Sequence, residues 1–446
     1  MKKPYYFIAI GGIGMSGLAK YLLESGEMVL GSDICKSKYT KKLEDMGAKI
    51  FIGHDESNLP EDAEVIVSSA IKESNPELQK AKRLGLNIYH RSDLLAQISN
   101  GKKECFIGFA GTHGKTTTSG LASYVLNMSG LNPSFVVGGI VPELNTNAIY
   151  SDGKYFIAEL DESDGTIIKY RPNICVINNL EKDHTDFYKN GLASLVNTFS
   201  NFINNLNPDS KLIINNDNSG NLELIKLYPN VITFGLNKAD YVAKNISYGS
   251  LTSFDVYKGD EFVTNIKLSL SGEHNVYNAL GVAAAFMEAG EDMEKIKPYF
   301  ESFSGMGRRL QKSAQIGEIS VYDDYAHHPT EIKATLSALR LKGYKNIVAV
   351  FQPHRYTRLH GLWDEFKTCF ANADKVYGID VYPAGESSIE GYGAKEFCEQ
   401  TGYTYLKGDL SEVADELKGA FEEGDLVLCL GAGSIVKLTP MLKDKI

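Results

Sequence analysis

The run Gly111-Thr112-His113-Gly114-Lys115-Thr116-Thr117 follows an apolar stretch, Cys105 to Ala110, and precedes a helical pattern from Gly120 to Met128. Residues of these types in this order can hold a nucleoside triphosphate. Glycines permit tight curvature, successive amides and a helix N-terminus face phosphate oxygens, Lys115 supplies a cation, and a Thr hydroxyl can ligate Mg²⁺. The spacing departs from the general G-x-x-x-x-G-K-[ST] form, since Gly111 stands three residues before Gly114 and Gly108 six. An ordinary glycine turn capped by threonine is the plain alternative, and the strand-loop-helix setting favours phosphate. A second loop, Gly11-Gly12-Ile13-Gly14-Met15-Ser16-Gly17, places G-x-G-x-x-G after the first apolar run, with Asp33 ending the next. Alone it fits NAD, FAD or any diphosphate, or a purely structural turn. Together the two loops imply two nucleotides.

Four further groups sit where strands should end, and a fifth opens a helix. Ile157-Ala158-Glu159-Leu160-Asp161-Glu162-Ser163-Asp164 brings Glu159 to a strand's end, where the Mg²⁺ partner of a phosphate loop belongs, while Asp161, Glu162 and Asp164 read as a solvated acidic loop. Asn178 to Asp186 carries His184 just past another strand, a placement that suits a metal ligand. Asn275 and Asn278, three apart at the start of a helix, face one way and either read a flat polar edge such as adenine or cap the helix locally. In the last third, Tyr322 to Glu331 and Gln352 to Arg358 each close a strand and open a helix. Their His327, His354, Arg355 and Arg358 form a small-anion pocket in which arginine grips a carboxylate bidentately. No Ser/His/Asp or Cys/His nucleophile arrangement stands out, so the chemistry need not be covalent with the protein.

These groups need rigid strand ends to hold them. Strand-like runs at Tyr6 to Ile10, Met28 to Gly31, Glu64 to Val67, Cys105 to Ala110, Tyr155 to Glu159, Ile174 to Asn178 and Lys211 to Asn215 alternate with amphipathic segments, and the rhythm restarts at Ile319 to Tyr322, Ile347 to Phe351, Lys375 to Ile379 and Leu426 to Leu430. Such alternation predicts an α/β chain with mostly parallel sheets. A chain of 446 residues exceeds one core. Polar Ser99 to Glu104 and a hinge near residue 312 divide it into three expected domains: 1–100, Rossmann-like; 101–312, a phosphate-loop domain; and 313–446, again Rossmann-like.

Hydrophobic residues at 43% and charged residues at 23% describe an ordinary globular protein. A net charge of -10 without a basic face argues against coating nucleic acid or anionic lipid, and no apolar run is long enough to cross a membrane. The short apolar start at Tyr5 to Ile10 is a first strand rather than a signal peptide. Cys35, Cys105, Cys175, Cys369, Cys398 and Cys429 are scattered and expected as buried free thiols in a reducing cytoplasm.

The chain resembles the Mur ligase family over essentially its whole length. The marks are Phe7 to Gly17, Ala110 to Thr118, Ala158 to Asp164, Asp183-His184, His274 to Asn278, Arg308-Arg309, Asp323 to Glu331 and Gln352 to Arg358. The compressed loop spacing is the form this family uses. The resemblance implies an ATP-dependent ligase using ATP, UDP-N-acetylmuramate and L-alanine, with two Mg²⁺. Lys115 would meet the phosphates, Thr116 and Glu159 one Mg²⁺, and His184 the second. Asn275 and Asn278 would address adenine, with Arg309 and Asp324 reaching the nucleotide; Arg308 and Asp323 remain open as the functional members instead. Gly12, Ile13, Gly14 and Asp33, with Ser68, Ser69 and Arg91 near, would hold the uridine diphosphate. His327, His354, Arg355 and Arg358 would position the amino acid and the muramoyl carboxylate. Later members of the family hold the second metal with a carbamylated lysine, whereas Gly191 to Ser210 contains no lysine here. Rival expectations are a ligase adding a ready-made tripeptide to the same sugar nucleotide, an NAD-dependent dehydrogenase, and a non-catalytic UDP-sugar sensor. The expected assembly is a monomer or homodimer.

Overall fold

The structure, a computed structural model, describes residues 3–184, 187–344 and 346–445. Thr185 and Asp186, in the loop of His184, lie outside the described residues. Among the described residues the strands form three sheets.

The first sheet is parallel, in the order Lys49–Ile52, Val29–Asp33, Tyr5–Ile8, Glu64–Val67, Ile88–His90. Strand order reverses on either side of Tyr5–Ile8. Asp33 ends a strand, and Gly11 to Gly14, Ser68, Ser69 and Arg91 follow C-terminal strand ends, the edge at which such sheets bind ligands.

The second sheet runs Glu261–Leu268, Thr252–Lys258, Tyr241–Tyr248, Ile232–Gly235, Lys211–Asn215, Ile174–Ile177, Cys105–Ala110, Tyr155–Glu159, Ser134–Val141, Thr146–Ile149. Its middle strands are parallel and nearly all buried, because helices Lys115–Met128 and Glu273–Glu288 cover one face while Leu192–Asn204 and Ser219–Leu227 belong to the core on the other. The antiparallel meander from Tyr241 to Leu268 was not expected from the sequence. In Thr252–Lys258 burial alternates residue by residue, as in a strand with one wet face.

The third sheet is ordered Gln311–Ile316, Ile319–Asp324, Leu426–Leu430, Ile347–Phe351, Lys375–Ile379, Thr404–Leu406, parallel except for its first strand. Leu426–Leu430 and Ile347–Phe351 are buried throughout, which explains their unbroken apolar composition. The chain passes from the second sheet to the third through residues 303–310.

The first unit is fastened to the second by its leading helix, Ile13–Glu24, which packs on the hairpin Ser134–Val141 and Thr146–Ile149. A Cβ on Gly17 would stand 2.6 Å from Asn147 Nδ2, which donates to Ile13 O at 2.7 Å, and the buried Lys20 Nζ donates to Ala148 O at 2.6 Å. The third glycine of the G-x-G-x-x-G pattern thus serves this packing.

The loop after Ile174–Ile177 rests on the start of helix Ser219–Leu227, where a Cβ on Gly220 would lie 2.0 Å from Leu180 O. Backbone cannot yield as a side chain can. Gly220→Ala should lower stability by about 1–3 kcal/mol, read as a shifted denaturation midpoint; an unchanged midpoint would contradict this packing.

Candidate functional site

The phosphate loop is braced from behind. Gly111 has φ +128°, a conformation that disfavours any side chain, and a Cβ there would approach Asn179 O to 2.9 Å. Thr112 N donates to Asn179 O at 2.9 Å and His113 N to Asn179 Oδ1 at 2.7 Å, while Glu181 N donates to Thr112 Oγ1 at 2.9 Å. Gly114 caps helix Lys115–Met128 with φ +82°.

Lys115 Nζ donates to Gly111 O at 2.7 Å, Thr112 O at 3.0 Å and Glu162 Oε1 at 3.0 Å. Burial opposes its charge, but Glu162, then Asp161 and Glu159, hold the ammonium above its ordinary pKa. Glu162 is fully buried, which corrects the solvated-loop expectation. Asp161 and Asp164 depart from it too: Asp161 accepts from Arg91 at 2.6 Å, and Asp164 from Ser69 Oγ at 3.1 Å. These bonds join the loop to the ends of the first sheet's strands.

Glu159 lies beside Thr116, and Gly138 N donates to its Oε2 at 2.8 Å. Burial raises its pKa despite Lys115, leaving a carboxylate short of positive charge. His184, at φ +50°, brings Nε2 to 3.6 Å from Glu162 Oε1 and 3.7 Å from Asp183 Oδ2. Asp183 in turn meets Arg358 at 3.3 Å; although burial pushes upward, Arg358 and His184 hold its carboxyl far below the usual range.

Two cavities flank the loop. The first, about 1210 Å³, is lined by Ile13 and Lys42 of the first unit, Lys115, Thr116, Glu159 and His184 of the second, and Arg309 and His327 of the third, among others. The second, about 1170 Å³, takes Gly114, Thr117, Asn275, Asn278, Arg309 and Asp324. Asn278 also accepts from Thr118 Oγ1 at 3.1 Å and donates to Asn275 Oδ1 at 3.2 Å, so the local-bonding reading holds as well as the cavity placement. Of the pairs left open by sequence, Arg308 and Asp323 meet at 2.9 Å and line the first cavity, while Asp324 lines the second and Arg309 lines both. Asp324 accepts from Leu310 N at 2.6 Å and Ala326 N at 2.7 Å, yet burial lifts its pKa to about 6.

His354 stacks on Tyr382 at 5.4 Å and lies 5.7 Å from the ring of His327; Arg358 NH1 is 3.3 Å from His354 Nδ1. These three are together. Arg355 instead points toward Glu386, 3.9 Å away. Of the first-unit residues, Asp33 accepts from Gly11 N at 2.8 Å, and Arg91 NH1 would be 3.7 Å from a Cβ on Gly14. Ile13 lines the first cavity, while Ser68, Ser69, Arg91 and Asp33 are not among its lining. Sequence reasoning read Glu162 as solvated and gave Asp183 and Glu331 no role of their own. Glu331 lies 3.4 Å from His113 Nδ1 and 3.6 Å from Arg309 NH1, joining third unit to phosphate loop. Its place three residues after His328, as a capping box on helix Pro329–Leu341, was the available signal. Cys35 is exposed and Cys105 partly so, against the expectation of burial; the other four are buried.

Three comparisons with known proteins place the chain among relatives. Residues 4–103 match the family model described as Mur ligase family, catalytic domain, residues 109–286 the Mur ligase middle domain, and residues 308–433 the Mur ligase, glutamate ligase domain. The UDP-N-acetylmuramate--L-alanine ligase of Aquifex aeolicus is 41% identical over 440 residues, covering 98% of this chain and 96% of that protein. Among solved structures, the UDP-N-acetylmuramate-alanine ligase of Thermotoga maritima aligns with TM-score 0.84 at 28% identity over 99% of each chain. A murein peptide ligase of Psychrobacter arcticus shares the fold, with TM-score 0.73 at 22% identity over the whole of both chains.

Burial holds His274, His328 and His354 at pKa values of about 4 and His327 at about 3, from an ordinary 6.5. The unfolded chain therefore binds more protons below pH 6.5. Stability from these rings is complete above that value and is lost as pH falls toward about 4. Denaturation at pH 7.5 and pH 5, on about either side of the histidine pKa, should show the lower midpoint at pH 5, the four neutral rings outweighing the opposite pull of His113, whose pKa is raised to about 9; a higher midpoint would contradict their neutral burial.

Proposed function

Because the chain belongs to the Mur ligase family, we propose that it joins the amino group of L-alanine to the muramoyl carboxylate of UDP-N-acetylmuramate, converting ATP to ADP and phosphate. The observation that carries this reading is the first cavity: residues of all three units meet around Lys115, Glu159 and His184. Likeness to an alanine-adding ligase at 41% identity over 98% of the chain favours it over a tripeptide-adding one, matched at 27% identity over 69% of the chain. It leaves the dehydrogenase reading of the first loop without support.

A carboxylate is a poor electrophile, so amide formation needs a leaving group. The muramoyl carboxylate attacks the γ-phosphorus in line, ADP departs, and an acyl phosphate remains. The neutral amine of alanine then adds to the acyl carbon, loses a proton, and expels phosphate. Lys115 receives charge developing on the transferred phosphoryl group, and the loop's amides hold the remaining phosphates. Asn275 and Asn278 face the adenine end, with Arg309 and Asp324. His327, His354 and Arg358 face the carboxylate and the amine; Arg355, turned toward Glu386, reaches them only by changing rotamer. Gly12, Ile13, Gly14, Asp33, Ser68, Ser69 and Arg91 address the uridine diphosphate.

The donors suit a hard cation: Glu159 is a buried carboxylate short of positive charge, with the Thr116 hydroxyl beside it. Mg²⁺ held there, and a second ion at His184 with Glu162 near, would neutralise phosphoryl charge. We take the three units as the UDP-sugar, ATP and amino-acid domains; residue 312, where a hinge was expected, lies inside strand Gln311–Ile316, so the hinge is assigned to residues 303–310 before it. Among the described residues no helix is long and apolar enough to cross a membrane. Free thiols and nucleotide substrates favour a cytoplasmic setting.

Incubation with ATP, Mg²⁺ and UDP-N-acetylmuramate should release phosphate when L-alanine is added. Product mass should increase by one alanine. Lys115→Ala should reduce the rate by about 10²–10³-fold. Turnover with tripeptide in place of alanine, or unchanged release by Lys115→Ala, would overturn the reading.

A further inference from the structure

Behind the phosphate loop, three side chains converge that the reaction above does not use as ligands. His113 comes from the loop, Glu181 from the segment after Ile174–Ile177, and His328 from the N-cap of Pro329–Leu341. One donor atom from each lies within 4.8 Å of the others. His113 Nε2 and Glu181 Oε2 are 3.6 Å apart, and the two imidazole rings are 4.6 Å apart. Both Nε2 atoms are buried without a hydrogen-bond partner, and His328 is only 5% exposed. A buried polar atom left unmatched costs free energy, and two imidazoles clustered with one carboxylate can share a common partner.

We propose that His113, Glu181 and His328 form a binding site for a zinc-class divalent ion, separate from the Thr116–Glu159 site, that pins the third unit against the phosphate loop. Two imidazoles and one carboxylate are a zinc donor set, and a fourth position is left for water. Magnesium, which prefers oxygen ligands, is disfavoured. Donors bound at about 2.0–2.1 Å in a tetrahedron lie about 3.4 Å apart. The His113–Glu181 pair is already near that, and His328 closes the remainder by turning its ring. Glu331 Oε1, 3.4 Å from His113 Nδ1, supplies the outer carboxylate that keeps the Nδ1 proton and leaves Nε2 for the ion. Thr330 Oγ1 donates to Glu181 Oε2 at 2.7 Å and orients that carboxylate. The ion replaces the proton on His113 Nε2. On His328 the proton moves to Nδ1, at the loss of a long 3.3 Å bond from Thr330 N. Since His113 and Glu181 belong to the second unit and His328 to the third, an ion here resists their separation.

Co²⁺ alone, titrated into the full chain without nucleotide, reads the site. We expect intense visible bands of a four-coordinate ion, saturating at one equivalent and bleached by Zn²⁺. His328→Ala and Glu181→Gln should each lose them, and Glu159→Gln should keep them. Zn²⁺ should raise the melting temperature of the parent chain but not of Glu181→Gln. If His328→Ala does not fold, the near-isosteric Glu181→Gln decides. Absence of saturable bands, their survival in Glu181→Gln, or their loss in Glu159→Gln would each overturn the proposal.

Discussion

A lysine ammonium enclosed by a loop of backbone amides is tolerable only with a counter-charge, and Glu162 provides it. The carboxylate is fully buried and lies 2.9 Å from Lys115 Nζ. Removing either partner leaves an uncompensated buried charge, a change that typically costs about 3–5 kcal/mol. Glu162 in turn is held through its own backbone: Tyr188 Oη donates to Glu162 O, and the same carboxylate stands beside His184. Much of the site's geometry follows from this pair, because it fixes where the strand Tyr155–Glu159 and the loop of His184 meet the phosphate loop.

The second constraint is the junction with the third unit. His113 lies between Glu181 and Glu331; burial works against its charge, but the two carboxylates raise its pKa to about 9. Arg358 meets Asp183 and Thr330 meets Glu181 across the same junction. The loop that would grip the nucleotide is thus also the surface on which the third unit rests. On the other side Arg91 and Ser69 tie the first unit to Asp161 and Asp164. The acidic loop therefore serves two partners, Lys115 within its own unit and Arg91 across a boundary.

What was legible beforehand is what local pattern controls. Ile347–Phe351 and Leu426–Leu430 are unbroken apolar runs because both sheet faces are covered, and the functional loops at such strand ends follow from them. Lys115 announced itself through glycines whose left-handed backbone is a local requirement. Glu162 did not, since its partner lies 47 residues away and an acid in an acidic run looks like any solvated one. Asn275 and Asn278 could be placed on one helical face, but their bonds with Thr118 and each other needed the packed fold. The strands from Tyr241 to Leu268 escaped notice because Tyr241–Tyr248 and Glu261–Leu268 each carry a bulge that breaks their alternation, leaving only Thr252–Lys258 with a clean half-wet pattern.

The claim at the centre of this account is that the buried Glu162 keeps Lys115 placed for phosphoryl transfer to the sugar carboxylate. Trapping the acyl phosphate with hydroxylamine, in the presence of ATP and UDP-N-acetylmuramate and with no alanine, isolates that step. The account predicts hydroxamate from the parent chain and a rate lower by about a hundredfold or more in Glu162→Gln, with the variant still folded. Hydroxamate formed by Glu162→Gln at the parent rate would contradict it.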